Sequence, residues 1–408
     1  MSITHNIQQY PIKYGNTSRL GKVAFGWGAH TTVADECKAC GIKNALITTT
    51  GLKGSGIVDE IKGILNYHGI STQIYDKVTS NPKDHEVEAA YKIFKDAQCD
   101  GVVSVGGGSS HDTGKGVRAM AANPGKYVCD MVAVINPPWM QEVKKYKPVA
   151  LPQVCVTTTS GTGAELSGGA AIINTKVRAK FLVMVPGQAS YTGIIDPLLV
   201  RTQPKNIAAW SGFDAFAHAF EVYVNRIQTE YSTALCLRAI QLIAQNLREF
   251  AFNRMNHTAC ENMCWAESMA GGVGLSYGGS VGIVHGIGHG ISVLGGAHHG
   301  LANAVITLPM ERYNQPMCPD KFADMARAMG VDTRNMTRME ASDAWFNEVE
   351  RLLKDLDVET GNLKKQFGLT KADCAHIVKV QYSNDFPVQG NPRDYNYEEC
   401  VALLESLL

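Results

Sequence analysis

The chain has no net charge: 38 Lys and Arg balance 38 Asp and Glu over 408 residues, and charged residues make up only 19% of it. Without a basic or acidic surplus, no long-range field favours nucleic acid or an anionic membrane surface, so neither is expected as a partner. Long apolar runs are missing as well, and no stretch reaches the roughly 18 consecutive apolar residues of a membrane-crossing helix. The opening MSITHNIQQYPIKYG lacks a basic-then-apolar leader pattern. Internal repeats and low-complexity segments are absent too. A soluble, cytoplasmic protein is the expectation. The 11 cysteines are odd in number and scattered, which suits free thiols in a reducing compartment. Cys37-x-x-Cys40 has no second pair and sits on a helical pattern, Thr32–Cys40, so it reads as packing; Cys260 and Cys264 read the same way. The familiar dinucleotide fingerprint is also lacking. Gly26-Trp27-Gly28 has no third glycine and no helix start in register behind it.

Hydrophobic residues, by contrast, reach 45%, enough for large cores, and the length suggests two domains. Short β-branched runs alternate with helical stretches through the first part of the chain. The candidate strands are Asn44–Thr48, Thr72–Tyr75, Gly101–Val105, Val132–Ile135 and Gln153–Val156, with amphipathic segments such as Gly56–Tyr67 and His85–Ala97 between them. That βαβ rhythm predicts a parallel sheet with helices on both faces, a Rossmann-like α/β domain over residues 1–200. The rhythm stops near Ile194-Ile195-Asp196-Pro197, and Pro204 reads as the hinge. From Asn206 the periodicity is helical throughout, predicting an all-α domain over residues 201–408. Trp345, Val349, Leu352, Leu353 and Leu356 form one core stripe; Tyr397, Val401, Leu404 and Leu408 approximate another. Modest charge and the apolar, glycine-rich Ala270–Leu294 segment fit a homo-oligomer.

The chemistry gathers in three places. Asp214 and His218 stand four apart in the helical segment Trp210–Tyr223, so both project from one face. His285, His289, His298 and His299 are four of the 12 histidines, all within residues 285–299. A single histidine is more often a satisfied core or surface residue than a ligand. Clustering, in a glycine-dense window from Gly271 to Gly300 that lets side chains converge, favours the ligand reading. Imidazoles with one carboxylate and no thiolate suit a divalent transition metal, and positions left for water or substrate make the site catalytic.

The second place is Gly106-Gly107-Gly108-Ser109, which follows the strand Gly101–Val105 and opens a helix through Asp112 and Lys115. Glycine amides at a strand-to-helix turn can aim N–H groups at phosphate; a plain tight turn is the other reading. If a dinucleotide binds, its pyrophosphate belongs here. The third is the hydroxyl-rich loop Thr157–Glu165, which suits hydrogen bonds to a ribose or a nicotinamide amide, or else simply caps the next helix.

Taken together, these blocks resemble the iron-dependent (group III) alcohol dehydrogenase family. The matching motifs are GGGSSHDTGK at Gly106–Lys115, TTSGTGAE at Thr158–Glu165, DAFAHAFEVY at Asp214–Tyr223, VHGIGH and HHGLANAVITLP within Val284–Pro309, and a closing Asn391-Pro392-Arg393. They span nearly the whole chain in order. The resemblance implies a dehydroquinate synthase-like architecture, with Fe²⁺, or Zn²⁺ in its place, held by Asp214, His218, His285 and His299. It implies NAD or NADP across Gly107, Gly108, Ser109 and Asp112, with Thr158, Thr159, Thr162, Lys180 and Thr50 beside it, and NAD slightly favoured. His289 is implied as a proton relay or support beside the metal, and a small alcohol or aldehyde as substrate. The chain also departs from the family. Thr48-Thr49-Thr50-Gly51 lacks the aspartate that many NAD-preferring relatives carry, and Lys53 lies nearby. Val293-Leu294-Gly295-Gly296 replaces bulkier residues, and His298 stands where a proline is common. A zinc enzyme like glycerol dehydrogenase or dehydroquinate synthase, and a non-enzymatic assembly protein, are the alternatives.

Overall fold

A computed structural model describes residues 21–408 except 51, 53, 133–144, 278 and 385–386, and except the side chains of 384, 387 and 389. The opening residues read above for a leader, and Lys53, therefore lie outside the described residues. Six strands form one parallel sheet in the order β1-β8-β5-β4-β2-β3. These are β1 (Lys22–Phe25), β2 (Asn44–Thr50), β3 (Ser71–Val78), β4 (Gly101–Gly106), β5 (Gln153–Thr157) and β8 (Thr192–Ile195). β4 and β5 are buried along their whole length, as strands covered on both faces must be. Helices α1 (Val33–Ala39) and α2 (Ile57–Tyr67) pack on one face, with Ile57, Ile61 and Leu65 against Val103 and Val105. On the other face α3 (Asp84–Asp96) and α4 (Gly108–Ala122) cover Leu46 and Val102.

The chain leaves β2 toward β3 at one edge of the sheet and leaves β4 toward β5 in the opposite direction. The strand order thus reverses between β2 and β4, and open α/β sheets bind ligands beyond the carboxyl ends of strands at such a point. Those ends are Thr50 and Gly106. The glycine turn sits at the switch.

Four strands went unread in the sequence. β1 and β8 have four residues each, too few to show a pattern. β6 (Ala170–Asn174) and β7 (Ala179–Val183) pair as a separate antiparallel hairpin on α4. Of the expected strand Val132–Ile135, Val132 makes only an isolated bridge to Val183, and its other residues lie outside the described residues.

Beyond Pro204 the described chain is helical, as expected. Five helices concern the site: α5 (Lys205–Val224), α6 (Glu230–Phe252), α7 (His257–Glu267), α8 (Ile283–Leu294) and α9 (His299–Asn314). α5 is buried almost all round and packs on both α6 and α9. The glycine-dense window is not one continuous helix: Ser268–Gly274 is π-helical, and α8 begins afresh at Ile283. The stripe Trp345, Val349, Leu352, Leu353 and Leu356 is buried; of the other, only Leu404 is fully so.

Candidate metal and dinucleotide site

Helical spacing puts Asp214, His218 and Glu221 on one face of α5. α8 brings His285 and His289 to that face, and α9 brings His299 at its first residue. One ligand atom from each of Asp214, His218 and His285 lies within 4.8 Å of the others. His285 Nε2 is 3.5 Å and His299 Nε2 3.6 Å from Asp214 Oδ1. His289 stacks on the His299 ring, centroids 5.0 Å apart. All five side chains are buried or nearly so.

The ring nitrogens are oriented for ligation. His218 Nδ1 donates to the backbone carbonyl of Asp214 at 2.9 Å, which turns Nε2 toward the cluster. His285 Nδ1 donates to Glu221 Oε2, and the buried His285 Nε2 has no hydrogen-bond partner. Glu221 Oε1 meanwhile accepts the N–H groups of Gly282, Val284 and His285 at 3.0, 2.8 and 3.3 Å, closing the amino end of α8. Asn303 Nδ2, one turn after His299, donates to Asp214 Oδ1 at 2.9 Å. Gly288 makes room for it, since a Cβ there would lie 2.0 Å from Asn303 Oδ1. The sequence reading missed Glu221 and Asn303, although each sits at helical spacing from a predicted ligand.

Electrostatics agree with the geometry. Burial alone would raise the Asp214 carboxyl, but the imidazoles of His299, His218 and His285 outweigh it and hold it well below the usual carboxylate range. Burial, reinforced by His285, pushes His218 down to about 4. Burial and then Lys180 hold His299 well below its ordinary value. His285 goes the other way, to about 9: burial opposes the charge, but Glu221 and Asp214 prevail. A buried carboxylate among converging imidazoles, with His285 Nε2 and His299 Nδ1 left without hydrogen-bond partners, fits a divalent cation with nitrogen and oxygen ligands.

The nucleotide side is built from backbone. Gly106 has φ +145°, and a Cβ there would lie 2.3 Å from Ser110 Oγ. A Cβ on Gly107 would meet Thr159 Oγ1 at 2.7 Å, and one on Gly108 would meet Thr162 Cγ2 at 2.7 Å. The turn thus lies directly on the Thr157–Glu165 loop, to which the Thr158 N–H and the Gly106 carbonyl also bind it at 2.9 Å. Thr50 N–H donates to Ser110 Oγ at 3.0 Å, placing the end of β2 at the same turn. Thr162 Oγ1 accepts from Ala164 N–H at 3.2 Å, so the loop also turns on its own hydroxyl. Asp112 has both carboxylate oxygens engaged, one by Ala171 N–H at 3.0 Å and one near Lys115 Nζ at 3.4 Å, and braces the β6–β7 hairpin.

Asn81 joins the two sides. Held at φ +57°, it donates backbone N–H to Ser109 Oγ at 3.2 Å and Nδ2 to the Ala297 carbonyl at 3.3 Å, and accepts from Lys180 Nζ at 3.0 Å. Lys180, on β7, is near enough to the metal side to depress His298 and His299. By contrast the Gly28 N–H of the Gly26-Trp27-Gly28 turn is taken up by Asp196 Oδ1 at 3.1 Å, so this turn is no phosphate cradle.

Comparison with known proteins agrees with this arrangement. The family model described as iron-containing alcohol dehydrogenase matches residues 21–197, and that of the Fe-containing alcohol dehydrogenase family, C-terminal, matches residues 208–408. The methanol:N,N-dimethyl-4-nitrosoaniline oxidoreductase of Mycobacterium sp. (strain DSM 3803 / JC1) is 34% identical, covering 98% of this chain and 97% of its own. An NAD-dependent methanol dehydrogenase of Bacillus methanolicus is 30% identical, covering 94% and 97%. A crystal structure of a 1,3-propanediol oxidoreductase superposes with a TM-score of 0.86 at 30% identity, covering 98% of this chain and all of that one. The chain belongs to the iron-containing (group III) alcohol dehydrogenase family and is an oxidoreductase acting on CH–OH groups.

Proposed function

We propose that this chain interconverts small primary alcohols or diols and their aldehydes, with Fe²⁺ held by Asp214, His218, His285 and His299 and with NAD bound along Gly107, Gly108 and Ser109. Zn²⁺ and NADP are the substitutes the site could accept. The observation that carries the reading is the buried donor cluster in which His285 Nε2 has no hydrogen-bond partner. Bound there, the ion and the nicotinamide would supply Lewis acidity toward the alcohol oxygen and a hydride acceptor.

The chain's own residues supply the rest. Glu221 fixes the His285 ring and the start of α8. Asn303 holds Asp214 in place. Thr158, Thr159 and Thr162 form the wall opposite the glycine turn, and Asp112 supports that turn from behind through the hairpin. Lys180 presents a cation between the two sides, and Thr50 ends the strand where a ribose would lie. His289, stacked on His299, would serve as a proton relay or as support beside the ion.

Burial of the donor cluster keeps water from competing for the reacting carbon. Self-association is part of the proposal, since among the described residues β1 is an edge of the sheet and Val23 on it is exposed. A reducing cytoplasm suits the 11 cysteines, all unpaired; among the described residues no helix is long and apolar enough to cross a membrane.

The test is anaerobic metal removal followed by Fe²⁺ or Zn²⁺ add-back. Turnover is then measured on methanol through butanol and on propanediol, with NAD⁺, NADP⁺ or N,N-dimethyl-4-nitrosoaniline as acceptor. Metal-restored oxidation with any of these supports the proposal. A protein that binds the metal and NADH yet turns over none of them would defeat it and favour an assembly role.

A further inference from the structure

The proposed chemistry leaves two buried carboxyl groups unused. Glu165 ends the Thr158–Glu165 loop, and Glu267 is the last residue of α7. Neither side chain has measurable exposure. Glu267 Oε2 accepts the N–H groups of Gly161 at 2.9 Å and Gly163 at 3.1 Å, so this carboxyl reaches out of the helical region to hold the loop by its backbone. The second oxygen of Glu267 and both oxygens of Glu165 find no donor. Glu165 and Glu267 instead face each other in hydrogen-bonding contact. Lys115 is the cation near Glu165, but it already serves Asp112, Ser167 and the Gly169 carbonyl.

Two buried carboxyls in contact without a cation between them are relieved by one proton, which makes one group a donor and the other an acceptor and so partners one oxygen of each. Burial, and for Glu267 the neighbouring Glu165 as well, moves both groups above the usual carboxylate range.

The loop they hold is seated tightly. Gly163 has φ +61°, and a Cβ there would lie 2.1 Å from Gly272 N; one on Gly271 would lie 2.4 Å from the Thr162 carbonyl. Backbone therefore rests on backbone between this loop and the π-helical turn. The loop's other side meets Gly107 and Gly108. The loop is thus wedged between the π-helical turn and the glycine turn, and any shift of it moves the threonines that lie against Gly107 and Gly108.

We infer that Glu165 and Glu267 share one proton and that the pair positions the Thr158–Ala164 loop for dinucleotide binding, with Glu267 as a positioning residue. This rests on the dinucleotide reading above. Glu267→Gln tests the proton, because its amide oxygen can accept both glycine N–H groups while its NH₂ donates to Glu165. Glu267→Ala removes the acceptor altogether.

In the infrared difference spectrum between wild type and E267Q at neutral pH, a protonated-carboxyl stretch should belong to the wild type alone. NADH should bind E267Q within about twofold of wild type and E267A about tenfold or more weakly, as expected for two lost hydrogen bonds to the loop backbone. Metal content and kcat at saturating NADH should stay unchanged. No carboxyl band in the wild type, or E267Q binding as weakly as E267A, overturns the shared proton. Wild-type affinity in E267A overturns the positioning role. If E267A does not fold, E267Q and the infrared spectrum still decide. A wild type that binds no NADH sinks the dinucleotide reading alone, since the infrared arm needs no cofactor.

Discussion

The two halves of the proposed site are made of different material. The metal side is side chains: one carboxylate and three imidazoles converge from α5, α8 and α9, each aimed by a partner or by helical spacing. The nucleotide side is backbone: glycines of one turn lie against threonines of a second loop, which in turn rests on glycines of a π-helical turn. Side-chain sites fail when a donor atom is removed. Backbone sites fail when an atom is added. The two halves should therefore respond to opposite kinds of substitution, and to different ligands.

The largest effect is expected from Asp214→Ala. Losing the carboxylate leaves three imidazoles without their anionic partner, and turnover should drop about a thousandfold or more, the scale of several kcal/mol of Lewis-acid stabilisation. Metal content should fall with it. NADH affinity, read by fluorescence titration, should stay within a few-fold, and a parallel loss of NADH binding would erase the division between the halves. Glu221→Gln comes next. The amide still accepts N–H groups from the start of α8, but it carries no charge to hold His285 Nδ1–H. Metal affinity should fall about 10–100-fold, the usual cost of losing a group behind a ligand, again with NADH binding spared.

Gly108→Ala inverts the experiment. Its Cβ would press on Thr162 Cγ2 and Oγ1 at 2.7 and 2.8 Å, and a threonine side chain can yield only part of that distance. An overpacking cost of about 1–3 kcal/mol at the cradle predicts NADH binding weakened roughly tenfold. Metal content should equal wild type. A variant that loses metal but keeps NADH would reverse the assignment of the two halves.

The same contrast explains what could be read from the chain alone. Asp214 and His218 were legible because a four-residue spacing on a helix fixes a shared face whatever the rest of the fold does. Glu221 lies seven after Asp214 on that face, yet its role depends on α8 arriving 64 residues later, which periodicity does not encode. The triple glycine was legible from the strand before it, and the parallel sheet from its buried β-branched runs. Asn81 was not, because its function lies in a left-handed backbone and a contact with Ala297, 216 residues away. Strands β1 and β8, at four residues each, are held by their neighbours in the sheet rather than by any pattern of their own.

The smallest effect lies outside both halves and marks their boundary. The fully buried Asp196 accepts N–H groups from Gly28, His30 and Leu198 at 3.1, 3.1 and 2.8 Å, and its Oδ2 also faces His30 Nδ1 at 2.5 Å. It ties the Gly26-Trp27-Gly28 turn to the end of β8, a structural role where a nucleotide motif would otherwise be suspected. Burial by itself would lower the His30 pKa, but the bonds to Asp196 and Glu60 overcome it and raise the value. A raised histidine stabilises the fold fully below its unfolded pKa of about 6.5, and that contribution disappears as pH climbs through the folded value. His30→Gln keeps a side-chain donor but carries no charge. Its Tm deficit relative to wild type should accordingly be greatest near pH 6 and should narrow steadily on the alkaline side. A deficit that stays constant across that window would mean His30 is held neutral, with Asp196 anchored by its backbone donors alone.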